Sequence, residues 1–210
     1  MIYPKPVQNL IALFTKLPGI GPRQAARFSF FILKENNSFL QNLISALQEA
    51  GKKVSVCGQC FRTVERSDDA PLLCVFCKDS RREKTIIAVV EKESDMQELE
   101  KTSAYHGLYH VLGGVISPLD PESPKRLHLK TLHERVRTLL GTNPEVEVIL
   151  ATNSTTEGDT TALYLERILE PLKNQHQGLK ISRLGRGLSL GSELEYADEV
   201  TLKNALTNRK

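Results

Sequence analysis

The chain has 210 residues, of which 40% are hydrophobic and 25% charged, with a formal net charge of +3 at pH 7. This composition is ordinary for a folded globular protein and gives room for one medium domain or two small ones. We expect neither a membrane protein nor a secreted one, because no apolar run reaches about eighteen residues and the N-terminal stretch lacks the features of a signal peptide.

Positive charge is concentrated toward the N-terminal end. Residues 1–56 contain seven lysines and arginines but two glutamates, a balance of +5, so the remaining residues sum to −2. This balance suits contact with a polyanion, although a solvated basic face would give the same count.

Two helices joined by a tight turn are predicted at this end. Val7 to Leu17 has its apolar residues at helical spacing, and Pro18 ends the helix. The next residues, G-I-G, allow a reversal, and Pro22 suits the first turn of a second helix. The run L-P-G-I-G-P-R-Q-A-A-R-F resembles the helix-hairpin-helix motif of DNA-binding proteins, in which a small residue after the hairpin lets the helices pack.

The candidate DNA contacts in this hairpin are Gly19, Gly21, Arg23 and Arg27. Glycines expose backbone N–H groups, and the second helix directs its positive dipole end to the same place, so a phosphate oxygen is a suitable ligand. Arg23 and Arg27 lie one turn apart and would add charge-assisted contacts. An ordinary helical turn with two solvated arginines is the alternative.

All four cysteines fall in one stretch, where Cys57, Cys60, Cys74 and Cys77 form two C-x-x-C pairs separated by thirteen residues. Each pair can point two sulfurs at a common centre, and Gly58 is expected to take positive φ in the first turn. Two disulfides or four independently buried thiols are the alternatives. Disulfides suit secreted proteins, and independent burial would not produce matched pairs. We therefore expect one structural zinc ion per chain, no open coordination position, and a reducing, cytoplasmic compartment.

The remainder of the chain alternates strands and helices, which is typical of an α/β domain with a mainly parallel sheet. The predicted elements are a helix from Phe39 to Ala50 ending at Gly51 as C-cap, strands Thr85–Val90, Glu145–Ala151 and Leu179–Leu184, and helices Asp95–Thr102 (capped by Ser94) and Thr160–Leu172. His106 and His110 are four residues apart, but Gly107 lies between them and the H-E-x-x-H pattern of a metal site is absent, so we expect them to be structural or surface residues. Parallel sheets bind ligands at the carboxyl ends of their strands, where Glu91 and the loop 153–159 should meet.

An acidic residue after the first strand and an acidic loop with E-G after a later strand resemble the Toprim domain of topoisomerases and primases. In active members the loop reads D-x-D-x-x-G, and its aspartates hold magnesium together with the first-strand glutamate. The glutamate is present as Glu91, but the aspartate positions are Asn153 and Thr155, whereas Glu157 and Asp159 remain. The loss of two negative charges should weaken metal binding, so we expect no catalysis here.

A helix-hairpin-helix, a four-cysteine module and a degenerate Toprim domain, in this order, resemble the RecR family of bacterial recombination mediators over nearly the whole chain. The segments I-L-A-T-N-S-T-T-E-G-D-T-T-A and S-R-L-G-R-G-L-S-L-G-S-E-L-E-Y-A-D also carry the resemblance. It implies a non-enzymatic role in recombinational repair of gapped DNA, assisting RecA loading with RecO and RecF. It also implies dimers or ring-like tetramers with Arg23 and Arg27 facing the duplex, and docking of basic RecO on Glu91, Glu157 and Asp159.

The predicted fold class is α+β with several modules. The expected divisions are a helix-hairpin-helix region (1–56), a four-cysteine zinc finger (57–78), an α/β Toprim domain (79–178) and a C-terminal segment with a strand, a glycine-rich turn and oligomerisation contacts (179–210).

The sequence leaves alternatives open for one acidic stretch and for the function of the whole chain. Glu193, Glu195 and Asp198 fall in a stretch often compared with a Walker B element, but a solvated acidic edge explains them equally, and the sequence has no G-x-x-x-x-G-K-[ST] phosphate loop. The other candidate functions are a Toprim-type magnesium-dependent nuclease or primase-like enzyme, and a zinc adaptor that binds protein alone.

Overall fold

The computed structural model describes residues 3–68, 71–188 and 190–209. The chain separates into two compact units, Met1–Val54 and Ser55–Lys210. Within the described residues, none of the helices combines the length and apolar character needed to cross a bilayer.

The first unit consists of three helices, α1 (Lys5–Phe14), α2 (Pro22–Lys34) and α3 (Asn37–Lys53). Ala25 and Ser29 of α2 are fully buried, and the rings of Phe14 and Phe28 meet edge to face at 6.2 Å, so the small residues after the hairpin let α1 and α2 pack closely. The α1 helix ends three residues before the predicted Leu17, because a residue that precedes proline disfavours helical backbone.

The predicted C-cap at Gly51 is wrong. Asn36 caps the start of α3 by accepting a hydrogen bond of 2.9 Å from the Phe39 backbone N–H, and the helix continues through Gly51 to Lys53. The chain then leaves the helix in the extended backbone of Val54, so this helix end uses no left-handed residue.

The second unit is built on a four-stranded parallel sheet with the order β4-β3-β5-β6. Its elements are β1 (Val54–Val56), β2 (Thr63–Glu65), α4 (Val75–Lys78), β3 (Glu83–Val90), α5 (Glu93–Lys101), β4 (Gly107–Val111), α6 (Leu129–Leu140), β5 (Val146–Ala151), α7 (Thr156–Gln175), β6 (Leu179–Arg183) and α8 (Glu199–Thr207). Short 3-10 turns lie at Ser123–Arg126 and Leu194–Tyr196. The strands β1 and β2 form a separate two-stranded ribbon. The predicted parallel α/β architecture is therefore confirmed.

Both faces of the sheet are covered, as the continuous apolar run of β3 predicts. Ile87 and Val89 belong to a core that includes residues of α6 and α7. The alternate residues Ala88 and Val90 belong to a second core with Met96 of α5 and aromatic side chains of the cysteine module. The period of two along a strand sends neighbouring side chains to opposite faces, which explains the division.

Several local predictions differ from the structure. His110 is the fourth of the five residues of β4, a strand that the sequence did not predict and that pairs in parallel with β3. The helix α5 begins at Glu93, and its first turn is closed by Asp95, whose carboxylate accepts a hydrogen bond of 3.1 Å from the Lys92 backbone N–H, so Ser94 is not the cap. The helix α7 begins at Thr156, four residues before the predicted start.

Candidate functional sites

The four cysteine sulfurs occupy one small volume. The Sγ atoms of Cys57, Cys60, Cys74 and Cys77 all lie within 4.8 Å of one another, and those of Cys60 and Cys74 are 3.5 Å apart. A tetrahedral ion with metal–sulfur bonds of about 2.3 Å requires sulfurs about 3.8 Å apart. Three of the cysteines are buried and Cys77 is half-buried. The donor set and its spacing therefore fit a metal ion, the cluster's predicted role.

Backbone hydrogen bonds shape the two turns that carry these sulfurs. The Cys74 N–H donates to the Cys57 sulfur at 3.3 Å, and the Gly58 N–H donates to the Leu72 carbonyl at 2.8 Å, which ties the two turns together. The positive φ predicted at Gly58 is wrong, since the left-handed residue is Phe61, with φ of 63°. This conformation is uncommon for a residue with a bulky side chain, and the Phe61 ring stacks on His128.

The proximity of the thiols perturbs their ionisation. Hydrogen bonds with Cys60 and Cys77 lower the pKa of Cys74, whereas the hydrogen bond with Cys74 raises the pKa of Cys60. A single thiolate is thus stabilised by hydrogen bonds from its neighbours, and its negative charge disfavours ionisation of a second thiol beside it. A divalent cation bound between the sulfurs would offset this charge repulsion, because the thiolate is the form of cysteine that binds metal.

The cysteine module is attached to the edge strand of the sheet. The Val111 N–H at the end of β4 donates to the Cys60 carbonyl at 2.8 Å. The Phe61 ring stacks on His128 with centroids 3.8 Å apart and meets the ring of the buried His110 edge to face at 5.4 Å. The module therefore covers part of the sheet and does not behave as a separate appendage.

Charged side chains complete this attachment. Glu93 of α5 accepts hydrogen bonds from the Thr63 backbone N–H at 2.8 Å and from Arg62 Nε at 3.2 Å. Arg135 Nη1 of α6 donates to the Tyr109 carbonyl at 2.7 Å and to the Gln59 carbonyl at 3.3 Å. Neither Glu93 nor Arg135 belongs to a sequence motif, so their role emerges from the packing alone.

The basic hairpin lies in the first unit, between α1 and α2. Gly19 has φ of +76°, a conformation that only glycine adopts easily. Gly21 is the N-cap of α2 and Pro22 its first residue, and no side chain caps this helix end. Arg23 and Arg27 are both exposed. The backbone N–H groups of the first turn and the two arginines are thus open to solvent, as a phosphate-binding hairpin requires.

The acidic site lies at the carboxyl edge of the sheet, where Glu91 and the segment after β5 meet as predicted. Glu91 is 3% exposed, and its two carboxylate oxygens accept hydrogen bonds from the Asn153 backbone N–H at 2.8 Å and from Asn153 Nδ2 at 2.6 Å. An added Cβ on Gly158 would lie 2.1 Å from the Asn153 carbonyl oxygen and 2.8 Å from Glu91 Oε1. Only glycine therefore fits beside this pair.

The other two acidic residues lie in the first turn of α7 and not in a loop. The Thr155 hydroxyl caps the helix by accepting a hydrogen bond of 3.1 Å from the Gly158 N–H. Glu157 is exposed, whereas Asp159 forms ion pairs with Arg186 and Arg183, the latter at 3.6 Å. The predicted loop 153–159 therefore contains the N-cap, Thr155, and the first turn of the helix.

The acidic stretch near the C-terminus has a local structural role for one of its members. Asp198 is the N-cap of α8, and its carboxylate accepts hydrogen bonds from the Thr201 backbone N–H at 2.9 Å and from the Thr201 hydroxyl at 2.7 Å. Glu193 and Glu195 are exposed. Among the described residues, the cluster with metal-ligand spacing is that of the four cysteines.

Comparison with known proteins assigns the chain to a family. Three family models match it: "RecR, helix-hairpin-helix" over residues 7–51, "Toprim domain" over residues 85–185, and "RecR, C-terminal" over residues 187–210. The recombination protein RecR of Streptococcus mutans is 43% identical over 214 aligned residues, covering all of this chain and 98% of that relative. The RecR proteins of Lactococcus lactis and Streptococcus thermophilus are 43% and 42% identical with the same coverage. The chain therefore belongs to the RecR family of recombination proteins.

Proposed function

We propose that this chain is a non-enzymatic mediator of recombinational DNA repair, which grips gapped DNA through its basic hairpin and helps RecA to load. The family relationship supports a role in recombination, and the helix-hairpin-helix supports contact with DNA. RecO, with RecF, is the proposed partner, as the RecR resemblance implies, and the cytoplasm is the proposed compartment.

The hairpin carries the DNA-binding part of the proposal. Its uncapped helix start and the exposed Arg23 and Arg27 offer N–H donors and positive charge to phosphates, which are the same in every sequence. We therefore expect binding that is independent of DNA sequence and steeply dependent on salt, because each neutralised phosphate releases counterions.

Zinc is the proposed metal of the cysteine cluster. Cys57, Cys60, Cys74 and Cys77 would hold it with four thiolates, a donor set typical of structural zinc. The ion would stabilise the two turns and, through Phe61 and the Cys60 carbonyl, the attachment of the module to β4. With four protein ligands it would have no position free for substrate, so it would contribute to folding and not to chemistry.

The geometry of Glu91 argues against magnesium-dependent catalysis. In an active Toprim site this carboxylate would be free for a cation, but here both oxygens accept hydrogen bonds from Asn153. The Thr155 hydroxyl, at the second aspartate position of the Toprim pattern, is used as the helix cap. We therefore retain the proposal that this site does not cleave nucleic acid, and we do not favour the nuclease or primase-like alternative.

The acidic turn at the start of α7 remains the proposed docking surface for basic RecO, with changed roles for its residues. Glu91 is buried and would position the turn through Asn153, without touching a partner. Glu157 is exposed and is the residue proposed to contact RecO directly. Asp159 already pairs with two arginines of this chain.

Homo-oligomers, either dimers or tetrameric rings, are also part of the proposal. Large apolar side chains are exposed in both terminal regions, including Phe28 and Phe31 of α2 and Leu190, Tyr196 and Val200 near the C-terminus. Exposed apolar surface of this extent is typical of contact regions between proteins.

The hairpin geometry is the observation that carries the proposed function, and salt dependence of DNA affinity tests it. The double variant Arg23→Ala/Arg27→Ala should bind gapped DNA more weakly and lower the slope of log K against log salt by about one unit per lost phosphate contact. The matched control Arg137→Ala, which removes an exposed arginine from α6, should leave the slope unchanged.

Two further measurements accompany this test. Metal analysis of the isolated protein should find one zinc per chain, and incubation of gapped DNA, single-stranded DNA and RNA with Mg²⁺ should give no cleavage. An unchanged salt slope in the double variant removes the hairpin from the DNA site, and Mg²⁺-dependent cleavage revives the enzymatic alternative.

A further inference from the structure

The carboxylate of Asp159 is held by an arginine from beyond the last strand. Arg186 Nη1 donates to Asp159 Oδ2 at 3.2 Å, and Arg186 Nη2 donates to Asp159 Oδ1, so the guanidinium grips both oxygens. Arg183 lies 3.6 Å from the same carboxylate while its Nε donates to Glu166 Oε1 at 2.9 Å. A two-point arginine–carboxylate contact has defined geometry and is stronger than a single hydrogen bond.

Arg186 lies three residues after β6, in the part of the C-terminal segment that follows this strand, residues 184–188 and 190–209. Its backbone carbonyl accepts a hydrogen bond of 2.8 Å from Asn208 Nδ2, just after α8. At the next residue, an added Cβ on Gly187 would lie 3.9 Å from the Cα of Ala205, so α8 packs directly against this backbone. The side chain of Arg186 thus forms an ion pair with α7, and its backbone carbonyl accepts a hydrogen bond from the residue just after α8.

The C-terminal segment has little buried surface of its own. The helix α8 has no buried residue, and Leu190, Leu194, Tyr196 and Val200 are all more than 60% exposed. A segment with few buried apolar contacts depends more strongly on specific polar contacts for its position. The ion pair between Arg186 and Asp159 is such a contact.

The same ion pair alters the acidic turn. Glu157 and Asp159 are the two acidic residues in the first turn of α7, and the Arg186 guanidinium neutralises one of them. The contact with Arg186 keeps the pKa of Asp159 below its usual value, so the pair is fully charged at neutral pH. The turn therefore presents one open carboxylate and one that is already occupied by a guanidinium of the same chain.

We propose that the Arg186–Asp159 pair is a latch, in which Arg186 holds the C-terminal segment on α7 and occupies the carboxylate that a basic partner would otherwise bind. This inference rests on the proposed docking surface. An arginine of the partner competes with Arg186 for Asp159, so binding of the partner releases the C-terminal segment. By linkage, if partner binding shifts the equilibrium toward the released segment by some factor, release of the segment raises the affinity for the partner by that factor.

The latch is tested first without any partner. Arg186→Gln and Asp159→Asn should each increase hydrogen–deuterium exchange of the α8 backbone amides by about two- to five-fold, as expected for loss of one partly exposed ion pair. The double variant should exchange no faster than either single variant, because both changes remove the same contact. The control Arg167→Gln removes an exposed arginine from α7 and should leave the exchange unchanged.

The second arm measures affinity for purified RecO of the same bacterium. Arg186→Gln should raise the affinity by about two- to five-fold, because Asp159 then keeps only its longer contact with Arg183. Arg167→Gln removes the same charge and should change the affinity less than about 1.5-fold. Asp159→Asn should lower the affinity, because it removes the carboxylate itself, although it also opens the latch.

The possible results separate the two proposals. Unchanged exchange in Arg186→Gln and Asp159→Asn overturns the latch. If both variants exchange faster and both gain RecO affinity equally, competition for the Asp159 carboxylate is overturned. The C-terminal segment itself would then block RecO. If Glu157→Gln and Asp159→Asn both leave RecO affinity at the wild-type value, the docking surface fails, and the latch is judged by its effect on exchange alone.

Discussion

Replacing Glu91 with glutamine tests whether this residue has a structural role. Its two oxygens accept hydrogen bonds from the backbone and the side chain of Asn153 at 2.8 Å and 2.6 Å. Glutamine keeps one acceptor and places an NH2 group where the other oxygen was. One of the two Asn153 donors then faces another donor inside a site where the side chain is 3% exposed.

The expected cost follows from these contacts. A hydrogen bond to a charged group contributes about 1.5–3 kcal/mol, and a buried donor without an acceptor adds to that loss. Removal of the charge offsets part of the cost, because a buried carboxylate carries a desolvation penalty. We expect the free energy of unfolding to fall by about 1.5–3 kcal/mol, which lowers Tm by about 3–12 °C for a protein of this size.

Thermal and urea unfolding of the full chain, with and without Mg²⁺, provide the measurement. Glu145→Gln is the matched control, because Glu145 is exposed just before β5, and its effect should stay within about 0.5 kcal/mol. The structural explanation fails if Glu91→Gln unfolds at the wild-type temperature. It also fails if Mg²⁺ stabilises the wild type but not the variant, since the carboxylate would then be a metal ligand.

Three further predictions follow from the packing and titration of single residues. Gly158→Ala should destabilise the protein by at least about 2 kcal/mol in urea unfolding, because its Cβ would meet the Asn153 carbonyl at 2.1 Å; a neutral result would mean that this turn yields easily. Gly51→Ala should raise stability by about 0.5–1 kcal/mol, because Gly51 lies inside α3 with nothing within 4 Å of an added Cβ; a loss would restore the case for a C-cap. Burial lowers the pKa of His110 from 6.5 to about 3, so below pH 6.5 the unfolded chain binds a proton that the folded chain does not, and stability falls as pH falls. At equal metal content, the free energy of unfolding should fall by about 1–2 kcal/mol less in His110→Gln than in the wild type between pH 7 and pH 5. Parallel curves of unfolding free energy against pH would contradict this.

Local patterns predicted much of this protein. The C-x-x-C spacing indicated the sulfur cluster, and the β-branched runs indicated the buried parallel strands β3 and β5. The meeting of Glu91 with the segment after β5 also followed from sequence, since parallel neighbours bring their carboxyl ends to one edge. Each of these predictions starts from a pattern of a few residues, such as a C-x-x-C pair or one strand, because patterns of that length reflect local backbone geometry.

Other features could not be read in this way. Strand β4 carries no clear alternation, because all five of its residues are buried between β3, the helices and the cysteine module. The predicted start of α7 is four residues too late, because the N-cap, Thr155, lies inside the predicted loop. Gly158 is in fact required by its close approach to the Asn153 carbonyl.

The sequence by itself determined the order of the regions, the four-cysteine cluster and the exposed basic hairpin, because each depends on residue type and short spacing. The tertiary structure alone decided that the Glu91 carboxylate is used by Asn153, that Phe61 attaches the cysteine module to His128, and that Arg186 occupies Asp159. These contacts join residues 27 to 67 positions apart, and such distances close only when the packed sheet brings its edges and helix ends together.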